Sequence, residues 1–248
     1  MAGIGAVCFR SVIFITKVNN SLADLNEKEL VMNKIKKVIF DMDGLIFDSE
    51  RVFMGELAAA AKDYGYNITT ESYVKSLGLT GDTLYKLQKE IYGDDYPHYE
   101  ISRKARDRVD SIAIKGGLPV KSGIRELLEF LSENNIPCVI ASSTHVRYVE
   151  KYLEASGLRQ YFDKIIGGDM VSKSKPEPDI FLAAADDTAP EDCLVLEDSI
   201  NGITAASRAG IPVVCIPDMV YPADDIKALT AAVVNTAYDV IGLIEKPA

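Results

Sequence analysis

Apolar and polar positions change their period along this chain. From Lys34 onward, short apolar runs alternate with longer stretches whose apolar residues recur every three or four positions. The short runs are Lys37–Phe40, Pro137–Ala141, Phe162–Ile166, Cys193–Leu196 and Ile211–Ile216, with a brief sixth over Ala231–Asn235. None leaves a polar face, so they read as strands of a parallel sheet covered on both sides. Between them, Ser122–Asn134, His145–Ser156, Asp179–Asp187 and Ile200–Ala209 carry helical spacing. Gly157 and Gly210 stand where helix C-caps belong. Alternating strands and helices predict an α/β fold: a doubly wound, parallel, Rossmann-like sheet.

The pattern breaks between residues 47 and 116. No β-branched run occurs there. Glu50–Tyr64 places Leu57, Ala58 and Ala61 on one helical face, and Thr83–Tyr92 and Ile101–Ile114 are also helical in period. This predicts an inserted α-helical domain over 47–116, with the core domain formed by 32–46 and 117–248. Gly116-Gly117 marks the return, and hinges are expected at Ile46–Ser49 and Lys115–Leu118. Residues 1–31 read as an N-terminal extension outside the core, poorly ordered, with Met32 as a natural start. Its apolar stretch Gly5–Ile15 is interrupted by Arg10, lacks a basic leader and is too short to span a bilayer.

Composition narrows the function. The 248 residues include 48% hydrophobic and 26% charged side chains, ordinary for a soluble globular protein. A net charge of −10 offers no basic stripe for a nucleic-acid backbone. No membrane segment is expected, and no heptad or apolar stripe argues against a monomer. The four cysteines, Cys8, Cys138, Cys193 and Cys215, form no CxxC pair and read as buried thiols of a cytoplasmic protein.

Candidate chemistry gathers where the strands end. Asp41 and Asp43 follow the first run and point the same way. An Asp-x-Asp alone reads equally well as a solvated loop. Ser142-Ser143 follows the second run, Lys175 the third and Glu197-Asp198 the fourth. Each of these could separately cap or flank a helix. Together they arrive at the sheet edge where open α/β folds bind ligands. Carboxylates this close repel unless a cation lies between them, and an all-oxygen set suits magnesium. Hydroxyls, N–H groups and a lysine supply what a phosphoryl group needs.

These segments resemble the four motifs of the haloacid dehalogenase (HAD) superfamily, in order. Phe40-Asp-Met-Asp-Gly-Leu-Ile-Phe-Asp-Ser-Glu50 is similar to the first, Ile140-Ala-Ser142 to the second, Lys175-Pro-Glu-Pro-Asp179 to the third and Leu196-Glu-Asp-Ser-Ile-Asn-Gly202 to the fourth. The helical insert resembles the cap of the subgroup that contains beta-phosphoglucomutase. The resemblance implies a phosphatase of small phosphorylated metabolites, with Mg2+ as cofactor. Asp41 is then the nucleophile that forms an aspartyl-phosphate, and Asp43 the general acid and base. Ser142, the N–H of Ser143 and Lys175 hold the phosphoryl group. Asp41, the Asp43 carbonyl and Asp198 hold the metal, with Glu197 beside it or acting through water. The insert is expected to close over the core.

Two departures separate the chain from the mutase. Phe53 stands where that enzyme has a histidine, and Gly81 where it has a basic residue. A phosphosugar mutase is therefore the alternative, and a monophosphatase with Phe53 and Leu77 on an apolar wall the preferred reading. The Asp43 acid argues against a dehalogenase. A phospho-accepting receiver lacks both that acid and a helical insert. Of the histidines, His98 is expected at the surface and His145 near the pocket.

Overall fold

The computed structural model describes residues 35–79 and 81–245. The 1–31 extension, with Cys8, lies outside them. Six strands form one parallel sheet in the order β3-β2-β1-β4-β5-β6. They are β1 Lys37–Phe40, β2 Cys138–Ser142, β3 Lys164–Gly167, β4 Cys193–Glu197, β5 Val213–Cys215 and β6 Ala232–Val233. The chain steps outward from β1 on one side, then resumes at β4 on the other. That reversal opens a crevice at the carboxyl end of β1, between β2 and β4.

The strands are apolar between their ends because both faces are covered. Val38 and Phe40 point into one buried cluster and Ile39 into another. On the first face pack α5 (Ile124–Glu133), α6 (Val146–Ser156) and α10 (Ala237–Ile244); on the second, α7 (Asp179–Ala185) and α8 (Ile200–Arg208). In α5, Ile124, Leu127, Leu128 and Leu131 are buried, one stripe at three- and four-residue spacing. Phe162, expected in the third strand, instead precedes it and meets the Phe40 ring edge-on at 5.6 Å. Helix α10 begins with a capping box in which Asp239 accepts from the N–H of Thr236 at 2.9 Å. A short α9 covers Asp224–Lys227.

Four helices follow β1 before α5: α1 Ser49–Lys62, α2 Thr70–Val74, α3 Gly81–Tyr92 and α4 His98–Ala113. They enclose an apolar cluster of their own around Leu57, Ala60, Ala61, Ile101 and Ala105. The periodicity of the sequence did not reveal α2. Its five residues are held by a Thr69–Ser72 capping box rather than by an apolar stripe. The segments joining these helices to the sheet run side by side. Phe47 bridges Val120, Lys121 N donates to the Ile46 carbonyl at 2.8 Å, and Asp48 N donates to that of Pro119 at 2.9 Å. The Phe47 side chain is fully buried in the core cluster. Among the described residues, no helix is long and apolar enough to cross a membrane.

Candidate active site

The strand register fixes the site. Phe40 lies level with Ile140 of β2 and Leu196 of β4, so Asp41 leaves β1 beside Ala141 and Glu197. Its N–H still donates to the Leu196 carbonyl at 3.0 Å. The Lys175 ammonium meets it from the loop after β3. It donates to Asp41 Oδ1 at 2.5 Å, Glu197 Oε1 at 2.7 Å and the Ala141 carbonyl at 3.1 Å. Those three bonds use all three ammonium protons. The side chains of Asp41, Lys175 and Glu197 are 9%, 6% and 1% exposed, so the ionic group is largely dry.

Glu197 is held in place rather than free. Its Oε2 accepts from the N–H groups of Asp198 at 2.8 Å and Ser199 at 2.7 Å. Ser199 caps α8 by accepting from Gly202 N at 3.0 Å. A Cβ on Gly202 would lie 1.7 Å from Glu197 Oε1, so only glycine lets the carboxylate settle over this helix turn. Gly44, with φ +79°, plays the same part for Asp198: a Cβ there would sit 2.3 Å from Asp198 Oδ2.

Negative charge dominates the rim. Burial, ahead of the nearby Glu197 and Asp43 charges, raises the Asp41 carboxyl to about 7 despite the Lys175 ammonium. Burial, then Glu197 and Asp41, holds Asp198 well above the usual carboxylate range. Burial pulls Lys175 downward, but Asp41 and Glu197 outweigh it and raise its value. Asp41, Glu197 and Asp198 each offer an oxygen within 4.8 Å of the others. A hard divalent cation fits this all-oxygen, over-charged set, because it would relieve the repulsion that one lysine leaves.

Asp43 turns to the other wall. Its Oδ2 accepts from Thr144 Oγ1 at 2.8 Å and more distantly from Ser142 Oγ at 3.4 Å. Ser142 is buried, and its oxygen also accepts from Thr144 N at 3.0 Å, which closes the turn after β2. Ser143 is exposed on that turn. Thr144 did not stand out from the sequence, although its place two residues after Ser142 was the available signal. His145 caps α6 through Nδ1, which accepts from Arg147 N at 3.3 Å, and its Nε2 lies 3.4 Å from Asp169. His98 is half-buried among Tyr85, Tyr99 and Ser102 rather than fully at the surface. In the insert, Phe53 packs against both the core and helical clusters, and Leu77 joins the helical one. Tyr73 donates to Glu50 Oε2 at 2.6 Å.

The sequence and the fold have counterparts among known proteins. Residues 38–216 match the family model of haloacid dehalogenase-like hydrolases. The chain belongs to that family. A Drosophila melanogaster protein named "Probable pseudouridine-5'-phosphatase" is 34% identical over 198 residues, 76% of this chain and 84% of that one. A Thermotoga maritima protein named phosphorylated carbohydrates phosphatase is 32% identical over 203 residues, 80% of this chain and 91% of its own length. A solved Thermotoga maritima structure, described as a candidate beta-phosphoglucomutase, superposes with a TM-score of 0.70 at 25% identity, covering 85% of this chain and 99% of that one. This HAD hydrolase is thus an enzyme, and these two relatives by sequence are named phosphatases.

Proposed function

We propose that this chain is a magnesium-dependent phosphatase that hydrolyses small phosphorylated metabolites, sugar phosphates or similar monoesters, through an aspartyl-phosphate on Asp41. The observation that carries the reading is the buried Lys175–Asp41 contact inside an oxygen cluster with Glu197 and Asp198. A nucleophilic carboxylate needs its lone pair exposed to phosphorus and its charge balanced until it reacts. Asp41, Asp198 and the Asp43 carbonyl would hold magnesium, with Glu197 beside it or acting through water. Bound there, the ion would neutralise phosphoryl oxygens and keep Asp41 ionised.

In the first step an Asp41 oxygen attacks phosphorus in line as the bond to the leaving oxygen breaks. Asp43 gives its proton to that oxygen, so the alcohol departs neutral. In the second step Asp43 takes a proton from water, whose oxygen attacks the same phosphorus. The Asp41–phosphorus bond breaks and inorganic phosphate leaves. Ser142 and the N–H of Ser143 bind the phosphoryl oxygens, and Lys175 turns to them the proton that the Ala141 carbonyl accepts at 3.1 Å, keeping its bonds to Asp41 and Glu197. Glu197 keeps Lys175 aimed. Thr144 holds Asp43 at the rim until substrate arrives. Closure of the helical insert expels water from the reacting groups.

Phe53 and Gly81 leave no histidine or basic residue to clamp a second phosphate, which favours a monophosphatase over a mutase. The relatives named for pseudouridine phosphate and for phosphorylated carbohydrates suggest the range to search. A cytoplasmic monomer is the accompanying expectation. The test is phosphate release from a panel of such esters, with magnesium and with chelator. Magnesium-dependent multiple turnover supports the reading. A panel left untouched, or conversion of beta-glucose 1-phosphate to glucose 6-phosphate at a rate exceeding hydrolysis, contradicts it.

A further inference from the structure

We propose that Asp218 is a positioning residue for this hydrolytic site: it fastens both connections of the helical insert to the sheet edge and so fixes the turn that carries Asp43. The inference rests on the phosphatase reading above. Asp218 lies just beyond β5, the strand beside β4, on the same edge as Glu197. Its side chain is 3% exposed. Oδ1 accepts from Arg51 at 2.6 Å and from Lys121 at 2.7 Å. Arg51 belongs to the first turn of α1, where the chain enters the insert, and it also donates to Asp48 at 2.7 Å. Lys121 belongs to the segment that returns from the insert, and it donates to the Gly44 carbonyl at 2.6 Å. One carboxylate oxygen therefore joins the outgoing connection, the return connection and the residue after Asp43.

Two further observations separate this arrangement from an ordinary ion pair. Met219, the next residue, packs against the apolar cluster of the insert, so the loop after β5 grips the insert through two different kinds of contact. Asp218 Oδ2 is buried without a hydrogen-bond partner. A surface pair needs no such burial. The charge of Asp218 reaches both sides of the crevice, acting on Asp198 of the core and on Glu50 of the insert. Loosening this clamp frees the insert at Arg51 and lets the Gly44 turn drift at Lys121. A small drift there misplaces Asp43 relative to the leaving oxygen.

The test is a double-mutant cycle of Arg51→Ala and Asp218→Asn, with melting temperatures to confirm folding. On a phosphomonoester that the wild type hydrolyses, each single variant should lose about tenfold in kcat/KM, and the double variant no more than Asp218→Asn alone. Small-angle scattering should show a larger radius of gyration than wild type for both ligand-free variants, reduced by magnesium with orthovanadate. Kinetics within twofold of wild type, losses that multiply to about a hundredfold, or unchanged scattering would each overturn the clamp. Arg51 is half exposed, so its replacement spares the fold. Scattering needs no turnover: a wild type inactive on every ester would defeat the phosphatase reading, and the radii alone would then decide the clamp.

Discussion

At the rim of the sheet, Lys175, Asp41 and Glu197 pair almost wholly out of water, with Asp198 alongside. In the helical insert, Lys104 and Arg108 pair with Asp63 on a face where these side chains are 36–46% exposed. Both are ion-pair networks, yet physically they are opposites. Exposed pairs contribute about 0–1 kcal/mol each and tolerate replacement. Buried ones are costly to assemble and costlier to break, because removing one partner strands the others. The glycines follow the same division. At Gly202 and Gly44 the space for a side chain is already filled by a rim carboxylate, whereas a Cβ on Gly55 of α1 would meet nothing within 4 Å beyond its own helix. The rim is thus specified atom by atom, and the insert by its apolar stripe, which leaves its outer surface free to vary.

The largest effect that can break this comparison is on turnover. Asp43→Asn should reduce kcat by about 10²–10⁴-fold while KM changes little, because it removes a proton transfer and not a binding contact. Steady-state kinetics on a hydrolysed ester would check it. Next comes Gly202→Ala. Glu197 cannot swing aside, being held by Lys175 and two N–H groups. We expect a loss of about 2–3 kcal/mol in denaturant unfolding, together with most of the activity.

A pH experiment sharpens the electrostatic side. The folded Asp41 carboxyl, at about 7, lies above its ordinary 3.8. Between these values the folded chain binds the extra proton, so this group favours folding at low pH and loses that contribution as pH rises through 7. In chelator, the melting temperature of Asp41→Asn relative to that of wild type should therefore be higher at pH 8 than at pH 5, whatever the loss of the Lys175 partner costs both values. A constant difference would show that Asp41 is not perturbed. Magnesium should raise the wild-type melting temperature more at pH 8, since it binds the ionised carboxylates. The smallest effect belongs to the insert: Gly55→Ala, exposed within α1, should add about 0.5–1 kcal/mol of stability and leave kinetics unchanged.

The difference between the two regions also explains what could be read from the sequence. Strands buried on both faces announce themselves as unbroken apolar runs, and a parallel sheet brings their carboxyl ends to one edge. Asp41, Ser142, Glu197 and Asp198 were legible for that reason, and Lys175 through its resemblance to a known motif. Thr144 and Asp218 were not, because a hydroxyl in a turn and an acid after a strand look like any solvated residue until tertiary packing buries them. The same holds for α2, whose five residues bury one side chain, Tyr73, and so show no stripe. Tertiary pairing of the two connections, with Phe47 in the core and beside Val120, likewise depends on contacts across the insert that no local pattern records.

Chemical trapping shows whether Asp41 is the nucleophile. Wild type mixed with magnesium and a hydrolysed ester would be quenched within one turnover, reduced with borohydride and mapped by mass spectrometry. The account predicts homoserine at position 41, formed from the acyl phosphate, and none in chelator or in Asp41→Asn. Phosphate release with Asp41 unmodified, or reduction at a different carboxylate, would contradict it.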